Sequence, residues 1–483
     1  MHDATPTNTS KEALLRLIRE GGLLTRGQQC RLVALLSLPA IITQLSSILM
    51  QYIDATMVGT MGASASASVG LVASTIWLFN AFVSAIATGF AVQVAHRIGA
   101  SDEYGAREVV RQGLMSALLM SFVLMAVGLA VCQALPSWLG GGSDIRSDAT
   151  RYFGIYALLL PVMVLNSLAA GMLRCSGNVI VPSVLGVVMC LSDIVFNFLF
   201  IFPSRSVHAF GQAWQLWGAG LGVTGAALGT ALAVLLSCVL MLGYMLVVSP
   251  TLRLRREGGH FRPTSAILSE AWRIGAPVGA GQSLLCCAQI AGTVIVAPLG
   301  TIAIAANTFG ITAESLCYMP GFGIADAATT LVGQSLGARR RYLCRSFAYM
   351  TVGLGMAVMG LMGVCLYFGA PYLMEMLTPV AEVRALGTQV LRIEAWAEPM
   401  YAASIVAYGV FVGAGDTLRP CYMNVLSIWL VRITLAALLA PHYGLPGVWV
   451  AMALELTCRG LIFLVRLRWG NWLKLPPRSE GAP

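Results

Sequence analysis

Charge is what this chain has least of. Of its 483 residues only 11% are charged, against 57% hydrophobic, and mean hydropathy is +0.78. A soluble domain of this size cannot cover its surface with so few charges, so the soluble classes are excluded. Histidine is also scarce, with five scattered residues, and the twelve cysteines include no CxxC pair and no metal spacing with histidine. Most cysteines, Cys286-Cys287 among them, fall inside apolar stretches. There they read as small packing residues rather than disulfides or metal ligands. No Ser/His/Asp set, HExxH or Gly-rich phosphate loop stands out, so neither an enzyme nor a cofactor is expected. The stretch to Thr25 is polar and of mixed charge, so no cleavable signal peptide is expected either.

What the chain has is long apolar runs. A membrane-spanning helix needs about 20 apolar residues. Twelve such stretches lie near 32–58, 66–92, 112–135, 152–173, 179–202, 219–247, 273–298, 302–333, 346–370, 388–412, 420–440 and 446–466. The fold class expected is all-α integral membrane. The net charge of +9 does not point to nucleic acid, because the basic residues alternate sides. With an even number of spans and both termini cytoplasmic, 23 of 30 Lys and Arg fall on the inner side, including Arg253, Arg255, Arg256, Arg339, Arg340, Lys474 and Arg478. Five, Arg146, Arg151, Arg205, Arg384 and Arg392, fall outside. Arg432 and Arg459 lie within spans. This asymmetry sets the orientation in a cell (inner) membrane and suits contact with anionic lipid.

The chain also repeats itself. Pro39, Met61-Gly62, Gly99-Ala100, Arg107, Pro161, Gly171, Gly177 and Pro182 recur, at one fixed offset with no gap, as Pro277, Leu299-Gly300, Gly337-Ala338, Arg345, Pro399, Gly409, Gly415 and Pro420. The period is too long for a solenoid. It implies two homologous six-helix bundles related by a pseudo-two-fold axis along the membrane normal, with a central cleft between them. The expected parts are an N-terminal segment 1–31, a bundle 32–247, a cytoplasmic linker 248–272 containing Gly258-Gly259, a bundle 273–466 and a tail 467–483. Gly218, Gly220, Gly222, Gly225 and Gly229 crowd the expected start of span six, read as small-residue helix packing. Prolines inside spans are read as bends.

Acids inside spans are costly and therefore functional candidates. Asp54 lies near the outer end of span one. Asp193 lies about 14 Å below the outer end of span five, with Asn197 one turn on, and Thr230 lies about 16 Å into span six. These four can meet at similar depth, offering oxygen ligands to Na⁺ or a carboxylate pair that shares a proton. The positions aligned with Asp54 and Asp193 are Gly292 and Val431, so the scaffold recurs and the acids do not. A cation site confined to the first bundle is expected. In the second bundle Glu314, Asp326, Glu394, Glu398 and Glu455 stand near Arg432 and Arg459, as ion pairs or as substrate contacts. Glu314, Asp326, Glu398, Tyr318, Met319 and Tyr401, with Phe322, are the candidate cleft residues for a flat organic cation.

Four segments carry a family resemblance. They are Pro39 through Asp54-Ala-Thr-Met-Val-Gly59, Gly220-Leu-Gly-Val-Thr-Gly225-Ala-Ala-Leu-Gly-Thr230, Leu331-Val-Gly-Gln-Ser-Leu-Gly-Ala338 and Gly413-Ala-Gly-Asp416-Thr. In this order the chain resembles the multidrug and toxic compound extrusion family over about 30–466. The resemblance implies antiport: Na⁺ or H⁺ enters and an organic, cationic drug or toxic metabolite leaves. A monomer with no cofactor is expected, and the family's cation site in the first bundle resembles the set Asp54, Asp193, Asn197 and Thr230. Two departures stand out. The family pattern has Asn before Asp in span five, whereas here Asp193 precedes Asn197. Other branches carry an acid midway along span seven, where this chain has Leu284-Leu285-Cys286-Cys287. The alternative is a flippase of lipid-linked saccharides, which requires a basic cleft.

Overall fold

A computed structural model describes residues 11–209, 212–254 and 259–473. Arg255, Arg256, Gly258, Lys474 and Arg478 lie outside the described residues. The chain opens with α1 (Lys11–Arg19), a short amphipathic helix whose Leu14, Leu15 and Ile18 are buried. The first half continues with α2 (Arg26–Gly59), α3 (Ala63–Gly99), α4 (Glu103–Val131), the single turn α5 (Leu135–Trp138), α6 (Ser143–Cys175) and α7 (Ile180–Ile201). A hairpin, β1 (Pro203–Ala209) with β2 (Gln212–Ala219), then leads to α8 (Val223–Gly243) and a π turn to Val248. The second half holds α9 (Ser265–Val296), α10 (Thr301–Gly337), α11 (Arg341–Leu377), α12 (Ala381–Ala395), α13 (Glu398–Gly413), α14 (Leu418–Leu426) and α15 (Thr434–Trp469).

Every expected span has a helical counterpart. Among the described residues nine helices are both long and apolar enough to cross a membrane, and the difference from twelve has local causes. Span ten is broken at Trp396-Ala397, just before Pro399, into α12 and α13 of 15 and 16 residues. Spans eleven and twelve run together from Leu418 to Trp469, and the chain reverses at Gly444, whose φ is +63°. The α10 span has 37 residues but is diluted by Gly, Thr, Asn307, Glu314 and Asp326. Two boundaries also differ. Gly218, Gly220 and Gly222 belong to the exit of the hairpin, not to a helix: Gly220 and Gly222 adopt φ +64° and +59°, open to glycine without strain. The connection before α9 ends at Thr264 rather than 272, and it is held to α4 through Thr264, whose backbone N–H and hydroxyl both donate to Gln112 Oε1 at 2.9 Å.

Each half packs as its own bundle, α3, α4, α7 and α8 around α6 in the first and α10, α11, α13 and α15 in the second. The halves meet where α3 lies on α9 and α2 on α10. One end of this seam is self-matching. His96 and Gln334 occupy equivalent positions of the repeat, as do Cys175 and Gly413. A His96 ring nitrogen is 2.8 Å from the Gly413 carbonyl oxygen, and Gln334 Nε2 donates to the Cys175 carbonyl at 2.8 Å. A Cβ on Gly99 would collide with the carbonyl oxygen of Gln334, and one on Gly337 would collide with that of His96. Only glycine allows helices this close. The contact is thus isologous, of the kind that joins two-fold dimers.

The helix α1 straps this end. Its apolar face packs with Val179 of the first half and Leu331, Leu343 and Phe347 of the second. Arg340 donates to the carbonyls of Leu17 and Gly22 at 3.0 and 2.6 Å, and Arg19 donates to that of Ser176 at 3.4 Å. At the equivalent turn of the first half Asp102 instead caps α4, accepting from the Gly105 N–H at 2.8 Å.

Candidate functional site

Asp54 rides near the end of α2, Asp193 and Asn197 one turn apart on α7, and Thr230 on the facing stretch of α8. The α7 and α8 backbones can approach here because position 229 is glycine: a Cβ there would collide with Asn197 Oδ1. Asn197 Nδ2 donates to Asp54 Oδ1 at 2.8 Å and to Asp193 Oδ2 at 3.1 Å. One amide therefore bridges the two carboxylates. Asp193 and Asn197 are 0% and 1% exposed, and Asp193 Oδ1 and Asn197 Oδ1 have no hydrogen-bond partner. Thr230 is beside Asp193, and Tyr152 is near both acids. The order Asp193-then-Asn197 thus still leaves both side chains on one face with the amide reaching each acid.

The arrangement offers two carboxylates, a free carboxyl oxygen, a free amide oxygen and a hydroxyl in a buried pocket. That donor set fits a hard monovalent cation, and the carboxylate pair equally fits a proton. Tyr152, on α6, and Gly229 were not among the residues picked from sequence. Tyr152 carries no charge to flag it, and Gly229 was grouped with packing glycines.

Beside this pocket, between the two halves, lies a cavity of about 660 Å³. Thr230 reaches its wall, while Asp54, Asp193 and Asn197 stand behind it. Its floor is the self-matching seam, where Cys175 meets Gln334 one turn beyond Thr330. Arg174 and Asp326, from opposite halves, form an ion pair across it at 3.8 Å.

Of the candidate cleft residues, Asp326 and Tyr401 line the cavity, as does Phe322. Glu314, Glu398, Tyr318 and Met319 do not, which corrects the sequence reading. Glu314 and Tyr318 continue the cavity-facing stripe of α10, and Glu398 that of α13, but the cavity ends below them. Tyr318 packs edge-on against Tyr401 and Phe322, with ring centroids 5.7 and 6.0 Å apart, and these rings close the space. Beyond them Glu314, Glu394 and Glu398 are buried, and neither oxygen of Glu394 or of Glu398 has a hydrogen-bond partner. Glu455 is engaged: Ser427 Oγ donates to its Oε1 at 2.7 Å and Arg459 Nε lies 3.1 Å away. Arg459 reaches the cavity wall, its guanidinium 5.4 Å from the Tyr401 ring centre. Arg174, one residue past the expected span 152–173 and in the last turn of α6, also lines the cavity.

The MatE family model matches residues 39–199 and 277–438, and the two segments start at the equivalent prolines Pro39 and Pro277. The chain belongs to the MatE family. It is a multi-pass membrane transporter, not an enzyme. Similar to it is the probable multidrug resistance protein NorM of Pseudomonas aeruginosa, 27% identical over 452 residues, spanning 91% of this chain and 89% of that one. The protein of the same name from Idiomarina loihiensis is 23% identical, spanning 90% and 93%. Among solved structures, an outward-facing multidrug resistance MATE family transporter of the MOP superfamily superposes with a TM-score of 0.83 at 19% identity, over 94% of this chain and 97% of that one. A MOP superfamily transporter from Pyrococcus furiosus, described as having a binding pocket of reversed polarity, gives 0.83 at 19% over the same shares. These two establish the likeness of this MatE chain to them in fold.

Proposed function

We propose that this transporter exports small organic molecules, drugs among them, across a bacterial inner membrane, driven by the inward movement of H⁺ or Na⁺. The observation that carries the reading is the Asn197 amide held between two carboxylates, buried beside a cavity that both halves line. The relatives named for multidrug resistance support the export of drugs. Both halves of one chain complete the cavity, which supports a monomer as the working unit. With both termini cytoplasmic, the strapped end faces the cytoplasm and the cavity belongs to the outer side.

The coupling follows from one helix. Asp54 sits two residues after Tyr52 on α2. The Tyr52 hydroxyl reaches across to the second half, donating to the Thr312 carbonyl at 2.5 Å and lying 3.2 Å from Ser315 Oγ. A cation arriving between Asp54 and Asp193 displaces the Asn197 bridge and re-sets α2 against α10. Alternating access then consists of opening the seam at His96 and Gln334. A flippase for lipid-linked saccharides would need free positive charge in the cavity. Arg174 and Arg459 are both paired with acids, which disfavours that reading.

The test is transport in proteoliposomes loaded with ethidium or with chloramphenicol, under an imposed Na⁺ gradient and then a pH gradient. One gradient should drive export, naming the ion, and Asp193→Asn should abolish it. No export under either gradient, or full export by the variant, would overturn the reading.

A further inference from the structure

The sequence suggested an organic cation as cargo, and the cavity wall is built for something else. Three charged side chains line it, Arg174, Asp326 and Arg459. Asp326 is already met by Arg174 across the floor, and Arg459 by the buried Glu455. The carboxylates that would attract a cation, Glu314, Glu394, Glu398, Asp54 and Asp193, all stand behind the wall. Of the aromatic side chains on the wall, Phe322, Tyr401, Tyr408 and Trp429, Tyr401 already carries the Arg459 guanidinium. A lone cation moved from water into such a space loses its hydration and finds no free counter-charge.

What the wall offers is carboxamides. Gln44, Asn80, Asn166, Gln282 and Asn424, from five different helices and both halves, face one cavity. Gln44 and Gln282 are equivalent in the repeat, each at the same place beyond the proline that recurs in its helix, so the two-fold relation of the halves sets them as a matched pair. Asn80 Oδ1 accepts from the Tyr156 hydroxyl at 3.0 Å and Asn166 Oδ1 from Ser237 Oγ at 3.2 Å, which leaves their NH₂ groups for a ligand. Among the described residues Gln44, Gln282 and Asn424 make no hydrogen bond through their side chains to the protein. A carboxamide presents donor and acceptor together and matches another amide, a hydroxyl or a carbonyl. Sites built this way discriminate sharply against molecules that leave their polar groups unpaired.

We propose that the central cavity selects uncharged organic molecules rich in amide and hydroxyl groups over organic cations, and that the two-fold pair Gln44 and Gln282 grips them from opposite halves. This rests on the cavity being the transport site, and it is independent of which ion drives transport. The test is equilibrium binding to the purified full chain in detergent with no gradient. The uncharged probes are chloramphenicol and thymidine, and the cationic probe is tetraphenylphosphonium. At least one uncharged probe should bind saturably and about tenfold more tightly than the cation. Gln44→Leu and Gln282→Leu should each weaken it about tenfold with the melting temperature unchanged. Gln44→Glu should reverse the preference by supplying the missing counter-charge. Equal or tighter binding of tetraphenylphosphonium, unchanged binding of the uncharged probe by both leucine variants, or no binding of either uncharged probe overturns the proposal. Binding kept while gradient-driven export fails in the wild type would bring down the coupling reading alone.

Discussion

Tyr52 is the residue that ties the Asp54–Asn197–Asp193 cluster to the opposite half, because its hydroxyl is the one side-chain donor on α2 seen to reach α10 close to Asp54. Replacing it with Phe removes that bond and leaves Asp54, Asp193 and Asn197 in place. A buried hydrogen bond contributes about 1 kcal/mol, and an acceptor left unpaired costs about 1–3 kcal/mol. In Tyr52→Phe, export under the driving gradient should fall roughly five- to tenfold while cation binding, followed by titration in detergent, is kept. Equal loss of both would show that Tyr52 only holds the pocket together. At this scale the sequence was legible where charge flagged a residue. That Asp54, Asp193 and Asn197 meet was readable from depth and from a four-residue spacing. Tyr52, Tyr152 and the matched Gln44 and Gln282 escaped because nothing in their spans marks a neutral polar side chain as facing a cavity. Glu314 and Glu398 were misplaced because helical periodicity gives the face of a residue but not the height at which Tyr401 and Phe322 close the space.

Among the elements, α1 is the one with an unexpected task. Leu14, Leu15 and Ile18 follow a helical spacing within a segment otherwise polar, a pattern too short to carry the signal of a span. Burial of those side chains against Val179 and Leu343 joins both halves at the closed end. Truncating a fully buried leucine or isoleucine costs about 2–5 kcal/mol. The double variant Leu14→Ala and Ile18→Ala should lower the apparent melting temperature in detergent by several degrees and expose the closed end to water-soluble thiol reagents at an introduced cysteine. An unchanged melting temperature and unchanged labelling would show that α1 carries no such load. The spans were readable because length and hydropathy are strong signals in lipid. The β1–β2 hairpin was not, since its seven- and eight-residue strands lack any run of the length that marks a span. The break before Pro399 was anticipated only as a bend. Its counterpart Pro161 leaves α6 continuous, so proline alone does not decide the outcome.

For the whole molecule, the repeat was the most informative feature, and its offset governs more than sequence. Ser101 and Arg339, the non-glycine residues with positive φ among those described, occupy equivalent turns at +59° and +58°. Gly177 and Gly415 do likewise at +97° and +74°. Backbone strain, seam contacts and cavity glutamines all obey the same two-fold relation, whereas the bridged carboxylate pair is present in one half alone. On the proposed function, symmetry belongs to the moving frame and asymmetry to the driving chemistry.

The seam built from His96, Gln334, Gly99 and Gly337 has a genealogical consequence. A surface that fits its own rotated copy is what a dimer of six-helix proteins would present, with a covalent connection added afterwards. That connection should then be dispensable. Two polypeptides made by interrupting the chain between Arg253 and Thr264, produced together in one cell, should find each other in the membrane, co-purify and restore export. Fragments that insert but never associate would mean that the connection, not the seam, keeps the halves in register.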